Sequence, residues 1–540
     1  MHEGFGAAKQ SAGTVNAGAL PVSDELAAST DRRLHVMTLA VTMTGAYLLL
    51  IAWCWSYTMD DAFISFRYAK HIGDGLGPIW NLTDKAHPVE GFTSFLHVWL
   101  LGFLRYITGL EVFVFGKVLG VIAVIVLAWS IARESNKRRF GFWPAFVALS
   151  FLLLPFTALN AVSGMETSLF MLLNWLCAIT CIRLLDAPTG RQTWIFVVYG
   201  LAGTLTRPEF AVAFGLMAAF AWWRRPEIRK TLLKAIVFAY VLPGLALTGW
   251  RYYYYGDLVP NPFYVKQARR PNKWGSIQVV RFLGLCALPY LILAASSGRR
   301  LWTSYRNVLV VVVLNLGFVC AYFSTTLPLM NYWFRFLIPQ LPLIAFCAAV
   351  ALKADEGLVR SRLFPLRFAA GALLLVISLA HIPTIGYFQA MHEESESRYR
   401  EIGERLRPFA APDRWLAYYD VGRIVYESEW NTVDVVGLNT RRSNLKSACL
   451  MRTDIVLRFW RANGNVSNPC PEIYYSLTSL PFYTSESSVD SSMQVYVRND
   501  ITYARELQAH LLDGWPEPTK RSKNLQARYW NTFKAYLGPE

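Results

Sequence analysis

Of 540 residues, 54% are hydrophobic and 15% aromatic while only 17% are charged, and the mean hydropathy is +0.28. That excludes a soluble enzyme and reads as a polytopic membrane protein. The formal net charge is +16, but the cations are scattered through short loops between apolar runs, which argues against a nucleic-acid partner and for a role in membrane orientation.

In chain order, the first ~30 residues, rich in Ala, Gly and Ser, predict a disordered cytoplasmic tail over 1–35. The run from about Val36 to Tyr57 can span the ~30 Å hydrocarbon core; it is too long for a signal-peptide core and lacks a small-residue cleavage site, so it reads as an uncleaved anchor. Arg32 and Arg33 precede it. Asp60 and Asp61, in YTMDDAFISFRYAKHIGDGLG, are therefore expected on the outer surface, where two carboxylates beside the bilayer need a reason.

Further spans are expected near 112–132, 143–161, 167–184, 194–206, 210–223, 232–250, 279–296, 306–323, 335–352 and 368–386, about eleven crossings in all. The basic loops Arg133 to Arg139, Arg183 to Arg191, Arg224 to Lys234, Arg299 to Arg306 and Lys353 to Arg367 then lie on the cytoplasmic side. Counting Phe92 to Tyr106 as a span would invert this order, so it reads as an interfacial or re-entrant helix in a first outer loop, 58–111. The two segments flanking Thr206 to Glu209 are short and read as a broken pair whose junction faces a cavity.

After His381 no apolar run reaches membrane length. Met391 to Arg407 is a charged helical pattern, followed by strand-like WLAYYDV and SSMQVYVRN. The expected architecture is a polytopic α-helical membrane domain over 36–389 with a soluble mixed α/β domain over 390–540, placed outside by the odd number of crossings.

Six of the eight cysteines lie in or beside apolar spans. The other two, Cys449 and Cys470, are either free thiols or a disulfide closing a loop of about 20 residues, worth ~3 kcal/mol in the entropy model. No CxxC or HExxH spacing occurs, and His71, His87 and His97 are too irregular for a zinc site. NLT at Asn81 and NVS at Asn465 read as chance matches to a glycosylation acceptor.

The outer loops concentrate ionisable residues: Asp60, Asp61, Arg67, Lys70 and Glu90; Glu166 in SGMET; Arg207 and Glu209 in TRPE; Asp257, Asn261, Tyr264 and Lys266 in GDLVPNPFYVK; Arg335 in NYWFRFLIPQLP. Singly, each has a structural explanation: a solvated helix end, an internal ion pair at a Pro-broken turn, a cation snorkelling to headgroups, a Glu opening a helix. Five clusters on one face outweigh that explanation. Trp80, Trp333, Tyr252 to Tyr255 and Tyr332 read first as an interfacial aromatic belt and second as stacking surfaces for sugar or prenyl chain.

In this order, MDDAFISFRYAKHIGDGLG with VEGFTSFLH, SGMET, TRPE, PNPFYVK and RFLIPQLP resemble the family of the mycobacterial terminal β-(1→2)-arabinofuranosyltransferase, of the polytopic lipid-phosphosugar-dependent glycosyltransferases called the GT-C class. The resemblance covers about 36–345 and, more loosely, YYDVGRIVY and DVVGLN. The chain departs where the family has VEGYTNFLW, a Gly at the position of Phe210, and PNTFY, differences that bear on sugar and acceptor. A flagellar-motor-control family shares much of the pattern.

The resemblance implies a GT-C-like membrane domain and an inverting displacement with Asp60 as general base and Asp61 binding the acceptor or ordering the site. Adjacent carboxylates repel, so one is expected to have a raised pKa. Lys266, Arg335 and Arg207 are the phosphate-binding choices; Glu90, Glu166, Glu209, Asn261, Tyr264 and Arg67 are the acceptor or substrate residues, and Glu166 is alternatively a ligand for a divalent cation. The donor is expected to be polyprenyl-phosphate arabinofuranose, the acceptor a cell-wall glycan, glycolipid or glycoprotein, and the location a bacterial inner membrane. Two other readings stay open: a lipid or sugar transporter, and a non-catalytic assembly or flagellar-control factor.

Overall fold

The computed structural model describes residues 22–84, 88–265, 273–326, 331–354, 364–418, 420–440, 453–461, 475–482 and 491–515. Its elements are α1 (Val22–Cys54), α2 (Asp60–Gly73), α3 (Phe95–Thr108), α4 (Val112–Lys137), α5 (Phe142–Leu149), α6 (Pro155–Val162), α7 (Thr167–Asp186), α8 (Gly190–Thr206), α9 (Phe210–Arg224), α10 (Arg229–Ile236) and α11 (Leu242–Tyr255). There follow α12 (Asn261–Val265), α13 (Lys273–Phe282), α14 (Leu288–Ser296), α15 (Gly298–Thr325), α16 (Leu341–Lys353) and α17 (Phe364–Leu406). The chain continues into β1 (Trp415–Tyr418), α18 (Arg423–Ser428), β2 (Asn431–Asp434), β3 (Ile455–Arg461), β4 (Tyr475–Phe482), β5 (Ser491–Arg498) and α19 (Ala504–Leu512).

This is a multi-pass helical membrane architecture. Among the described residues seven helices are long and apolar enough to cross a bilayer, and the bent pair Phe142–Leu153 with Pro155–Val162, 51° apart, makes an eighth. Each of the eleven expected segments lands on helix, but three fall short of that length. At ~1.5 Å per residue, α8 with 17 residues reaches ~26 Å and α9 with 15 only ~22 Å, and the apolar stretch of α17, Ala369–His381, is shorter still.

The breaks have local causes. Pro155 opens α6 because proline fits the first turn of a helix but cannot continue one. Two π-helical turns, Val237–Val241 and Leu283–Ala287, precede Pro243 and Pro289. Each proline lacks the N–H that would bond the carbonyl four residues back, Ala239 or Leu285, and the widened turn accommodates the gap.

Two expected boundaries move. Helix α1 begins at Val22, inside the stretch expected as a tail, and α17 runs unbroken through residues 389 and 390, so the membrane and C-terminal parts share a helix.

The C-terminal part is a five-stranded sheet ordered β2-β1-β3-β5-β4. β1 pairs in parallel with β2 (Trp415 opposite Asn431) and β3 (Leu416 opposite Ile455), while β5 is antiparallel to β3 and β4. Its core merges with the segment 58–111: Phe63, Phe66, Trp80 and Val98 pack in one cluster with Ile424, Val425, Trp430 and Val495. Helices α2 and α3 lie so close that a Cβ on Gly102 would meet the Ile72 side chain at 2.7 Å.

Hydrogen bonds stitch the loop to the domain. Trp80 Nε1 and Asn81 Nδ2 both donate to Thr432 O, and Thr432 N–H donates to Asn81 Oδ1 at 2.8 Å. The segment 58–111 is thus held between the helical bundle and the sheet.

Candidate functional site

Met59 N–H donates to Ser163 O at 3.0 Å, which fixes the start of α2 against the α6–α7 junction. Lys117 Nζ donates to the carbonyls of Trp55 and Tyr57 at 2.5 and 2.9 Å, covering the exposed end of α1. Asp60 and Asp61 form the first turn of α2, where the helix dipole favours negative charge.

Asp60 Oδ1 accepts the backbone N–H of Arg423 at 2.8 Å. A Cβ on Gly422 would fall inside the Asp60 carboxylate, so only glycine lets the loop approach this closely. The Arg423 side chain turns away to Glu396 on α17, 2.9 Å. Burial, then the negative charges of Glu396 and Asp61, push the Asp60 carboxyl well above the usual carboxylate range, against the hydrogen bonds from Arg423 and Asp420. Glu396 is raised in the same direction, chiefly by burial and against the attraction of Arg423. The pair therefore holds a proton more readily than two exposed carboxylates.

Asp61 faces Arg335, with Oδ2 3.6 Å from Nη2. Arg335 follows Trp333 and Phe334, which have φ of 54° and 56°, two successive left-handed non-glycine residues. Such strain persists where surrounding contacts over-determine it: Asn160 Nδ2 donates to Trp333 O at 3.0 Å, and Phe336 N–H donates to Asn331 Oδ1 at 3.1 Å.

Arg207, at the end of α8, pairs with Glu166 at 2.7 Å and Glu209 at 3.4 Å. Arg207 and Arg335 both lie over the Phe336 ring, 4.6 and 4.7 Å from its centroid. Burial of Glu166 opposes its charge, yet Arg207, Arg335 and His97 outweigh that and hold its carboxyl below the usual range. Nε of Arg207 and Nε of Arg335 are buried with no hydrogen-bond partner among the described residues. Two buried guanidinium donors thus stand available, one facing Asp61 and the other Glu166, and Asp61 directly follows Asp60 at the start of α2.

The remaining expected residues go elsewhere. Glu90 is clamped by Arg251 Nε and Nη2 at 2.8 and 3.0 Å, and burial, opposed by Arg251, pushes its carboxyl up to about 7. Asn261 N–H donates to Glu90 O, and Asn261 Nδ2 donates to the carbonyls of Gly437, Leu438 and Thr440 at 2.7, 2.9 and 3.3 Å, joining α12 to the C-terminal domain. Arg67, expected at substrate, is buried and gives Nε, Nη1 and Nη2 to the carbonyls of Trp80, Val425 and Trp430 at 2.9, 2.8 and 2.7 Å. It pins α2 to the sheet domain.

Tyr264 is partly exposed beside α12's end. Lys266, Cys449 and Cys470 lie outside the described residues. Of the aromatic residues, Trp80 and Trp333 are buried and Tyr255 donates to Pro78 O at 3.1 Å, whereas Tyr252 and Tyr253 are exposed in the manner of an interfacial belt.

Glu396, Arg423, Gly422, Phe336 and Arg251 were not singled out from the sequence. Arg251 carried a signal, a cation at the edge of an apolar run; Glu396 is one of several acids in a charged helix and carried none.

The residues do not fit a divalent cation: Glu166, the expected ligand, is paired with one arginine and flanked by another, and among the described residues no group of three or more His, Cys, Asp or Glu side chains is placed to hold a metal.

Two solved structures share this fold. ArnT from Cupriavidus metallidurans in the apo state matches with a TM-score of 0.53 at 14% identity, covering 84% of this chain and 97% of that one. ArnT from the same organism bound to undecaprenyl phosphate matches with a TM-score of 0.51 at 12% identity and the same coverage. Identity this low carries the likeness of fold and no further. It bears out the expected polytopic helical membrane class with a C-terminal domain, and it does not point to the arabinofuranosyltransferase family. A family profile described as a domain of unknown function (DUF8728) matches residues 388–474, from late α17 into the sheet domain. No curated protein sequence matches the chain.

Proposed function

We propose that this protein is a membrane glycosyltransferase of the GT-C class that takes its sugar from a polyprenyl-phosphate donor and passes it to an acceptor outside the membrane. The observation that carries this reading is the pair at the start of α2: Asp60 is a carboxyl of raised proton affinity, its neighbour Asp61 faces Arg335 at 3.6 Å, and Arg335 and Arg207, stacked on one Phe336 ring, are buried cations with unpartnered donors. The fold it shares with a protein solved with undecaprenyl phosphate supports a lipid-phosphate donor.

Asp60 takes the proton of an acceptor hydroxyl as that oxygen bonds to the anomeric carbon. The bond from that carbon to the phosphate oxygen breaks on the opposite side, inverting the configuration, and the electron pair leaves with the polyprenyl phosphate. Arg335 and Arg207 take up the charge that grows on phosphate; two parallel donors of a guanidinium match two phosphate oxygens. Lys266 is the third choice for that task. Asp61 orients Arg335, and Glu166 and Glu209 hold Arg207. Tyr264 remains the acceptor contact, whereas Glu90, Asn261 and Arg67 frame the site.

Arabinofuranose is the donor sugar we favour, on the resemblance of the outer-loop motifs, and the pattern of basic loops supports a site and a C-terminal domain outside a bacterial inner membrane.

The test is transfer from synthetic polyprenyl-phosphate arabinofuranose to a panel of glycan acceptors by purified protein in nanodiscs, comparing wild type with Asp60→Asn. Transfer by wild type, falling ~10²–10⁴-fold in the variant, supports the enzyme and its base. Failure with this donor but success with another polyprenyl-phosphate sugar removes arabinofuranose alone. Failure of folded wild type with every donor sinks the transferase reading.

A further inference from the structure

Helix α7 starts at the candidate site and ends at Asp186, 20 residues and ~30 Å away at the other end of the bundle. A cavity of 560 Å³ opens there. Three arginines from three helices line it: Arg138 after α4, Arg224 at the end of α9 and Arg306 in α15. The backbone of α15 leaves helical geometry at Tyr305 (φ −135°, ψ 33°), so the helix turns beside the cavity and brings Arg306 to its wall.

The charges there are unequal. Asp186 is the lone carboxylate of the lining, and it is engaged by Arg138 at 3.4 Å and by Asn307 Nδ2 at 2.9 Å. Arg138 also bonds Glu134 at 3.0 Å. Among the described residues Arg224 and Arg306 have no carboxylate partner; Arg306 lies over the Trp302 ring at 5.9 Å. Trp302 is 53% exposed, and its indole suits the headgroup level of a bilayer.

We propose that this cavity binds the phosphate group of an anionic phospholipid at the membrane face opposite the candidate site. Guanidinium groups from separate helices match a phosphate diester, and a basic pocket between membrane helices is where such headgroups lodge. The acyl chains would leave along the exposed apolar surface beside Trp302. The inference stands independently of the transferase reading, since it needs only the bundle and its membrane.

Full-length protein in detergent is titrated with short-chain phosphatidylglycerol, with phosphatidylcholine and with inorganic phosphate, following retained lipid by native mass spectrometry and Tm. We expect saturable retention of phosphatidylglycerol with a rise in Tm, and neither with phosphatidylcholine. Arg224→Gln with Arg306→Gln weakens binding about 30-fold without changing the lipid-free Tm. Asp186→Asn, which removes the opposing charge, tightens it.

Equal retention of both lipids, or unchanged affinity in the double variant, overturns the site. An equal Tm rise with inorganic phosphate at the same concentration overturns the lipid as its source and assigns the cavity to a soluble anion.

Discussion

Two carboxylate and arginine clusters face the same end of the bundle, and they differ in what each leaves unsatisfied. Glu90 and Arg251 meet in a two-pronged pair, and neighbouring Asn261 gives its side-chain donor to three carbonyls. Around Asp60 the arrangement is looser: Arg335 stands 3.6 Å from Asp61, two guanidinium Nε atoms are unpartnered, and the turn leading to Arg335 is strained. Identical residue types are saturated in one place and left with unpartnered donors in the other. What separates them is saturation, because a buried donor that is already paired has nothing to offer a ligand, whereas an unpaired one is destabilising until something binds.

The sharpest break between the clusters comes from exchanging their arginines. Arg335→Lys keeps the charge but loses the planar fork, and we expect transfer to fall ~10²–10³-fold while the protein stays folded. Arg251→Met leaves Glu90 buried without its partner. It should lower stability by about 3–5 kcal/mol with little change in turnover per folded molecule, measured as Tm and as yield of monodisperse protein. Equal loss of turnover in both variants would dissolve the distinction.

A pH series sharpens it further. A base must be deprotonated to act, so if the proposed role of Asp60 holds, kcat/KM should fall as pH drops through its raised pKa, and Glu396→Gln, by removing a charge that raises it, should move that limb to lower pH. Stability runs the other way. Between the ordinary carboxylate pKa and the raised folded value, the folded state binds more protons than the unfolded one, so stability falls as pH rises and the loss is complete above the folded value. Asp60→Asn should therefore be more stable than wild type at neutral pH, with a gap that closes below about pH 4. No gap would mean that Asp60 is not strained by its surroundings. Gly422→Ala drives a Cβ into the buried Asp60 carboxylate, and we expect a loss of roughly tenfold in rate together with a lowered Tm.

Reading the residues went furthest where one physical rule acts along the chain. Apolar runs of bilayer length locate the helices because desolvating backbone in lipid requires internal hydrogen bonding. Where length is marginal the rule is weaker: α8, with 17 residues, α9 and the apolar part of α17 are too short to count as full crossings.

For the candidate site, the amino-acid sequence by itself singled out Asp60, Asp61, Glu166, Arg207 and Arg335, since ionised groups beside lipid are costly and stand out. Only tertiary structure decided which of those groups are already satisfied. Arg67 and Arg335 look alike in one dimension, yet one meets three carbonyls, of Trp80 and of Val425 and Trp430 in the C-terminal part, and the other meets a loose carboxylate. The partner that raises Asp60, Glu396, lies more than three hundred residues away on a helix crowded with other charges. Hydrogen-bond saturation and local dielectric are properties of neighbours in space, and the order of residues along a chain does not encode them one at a time.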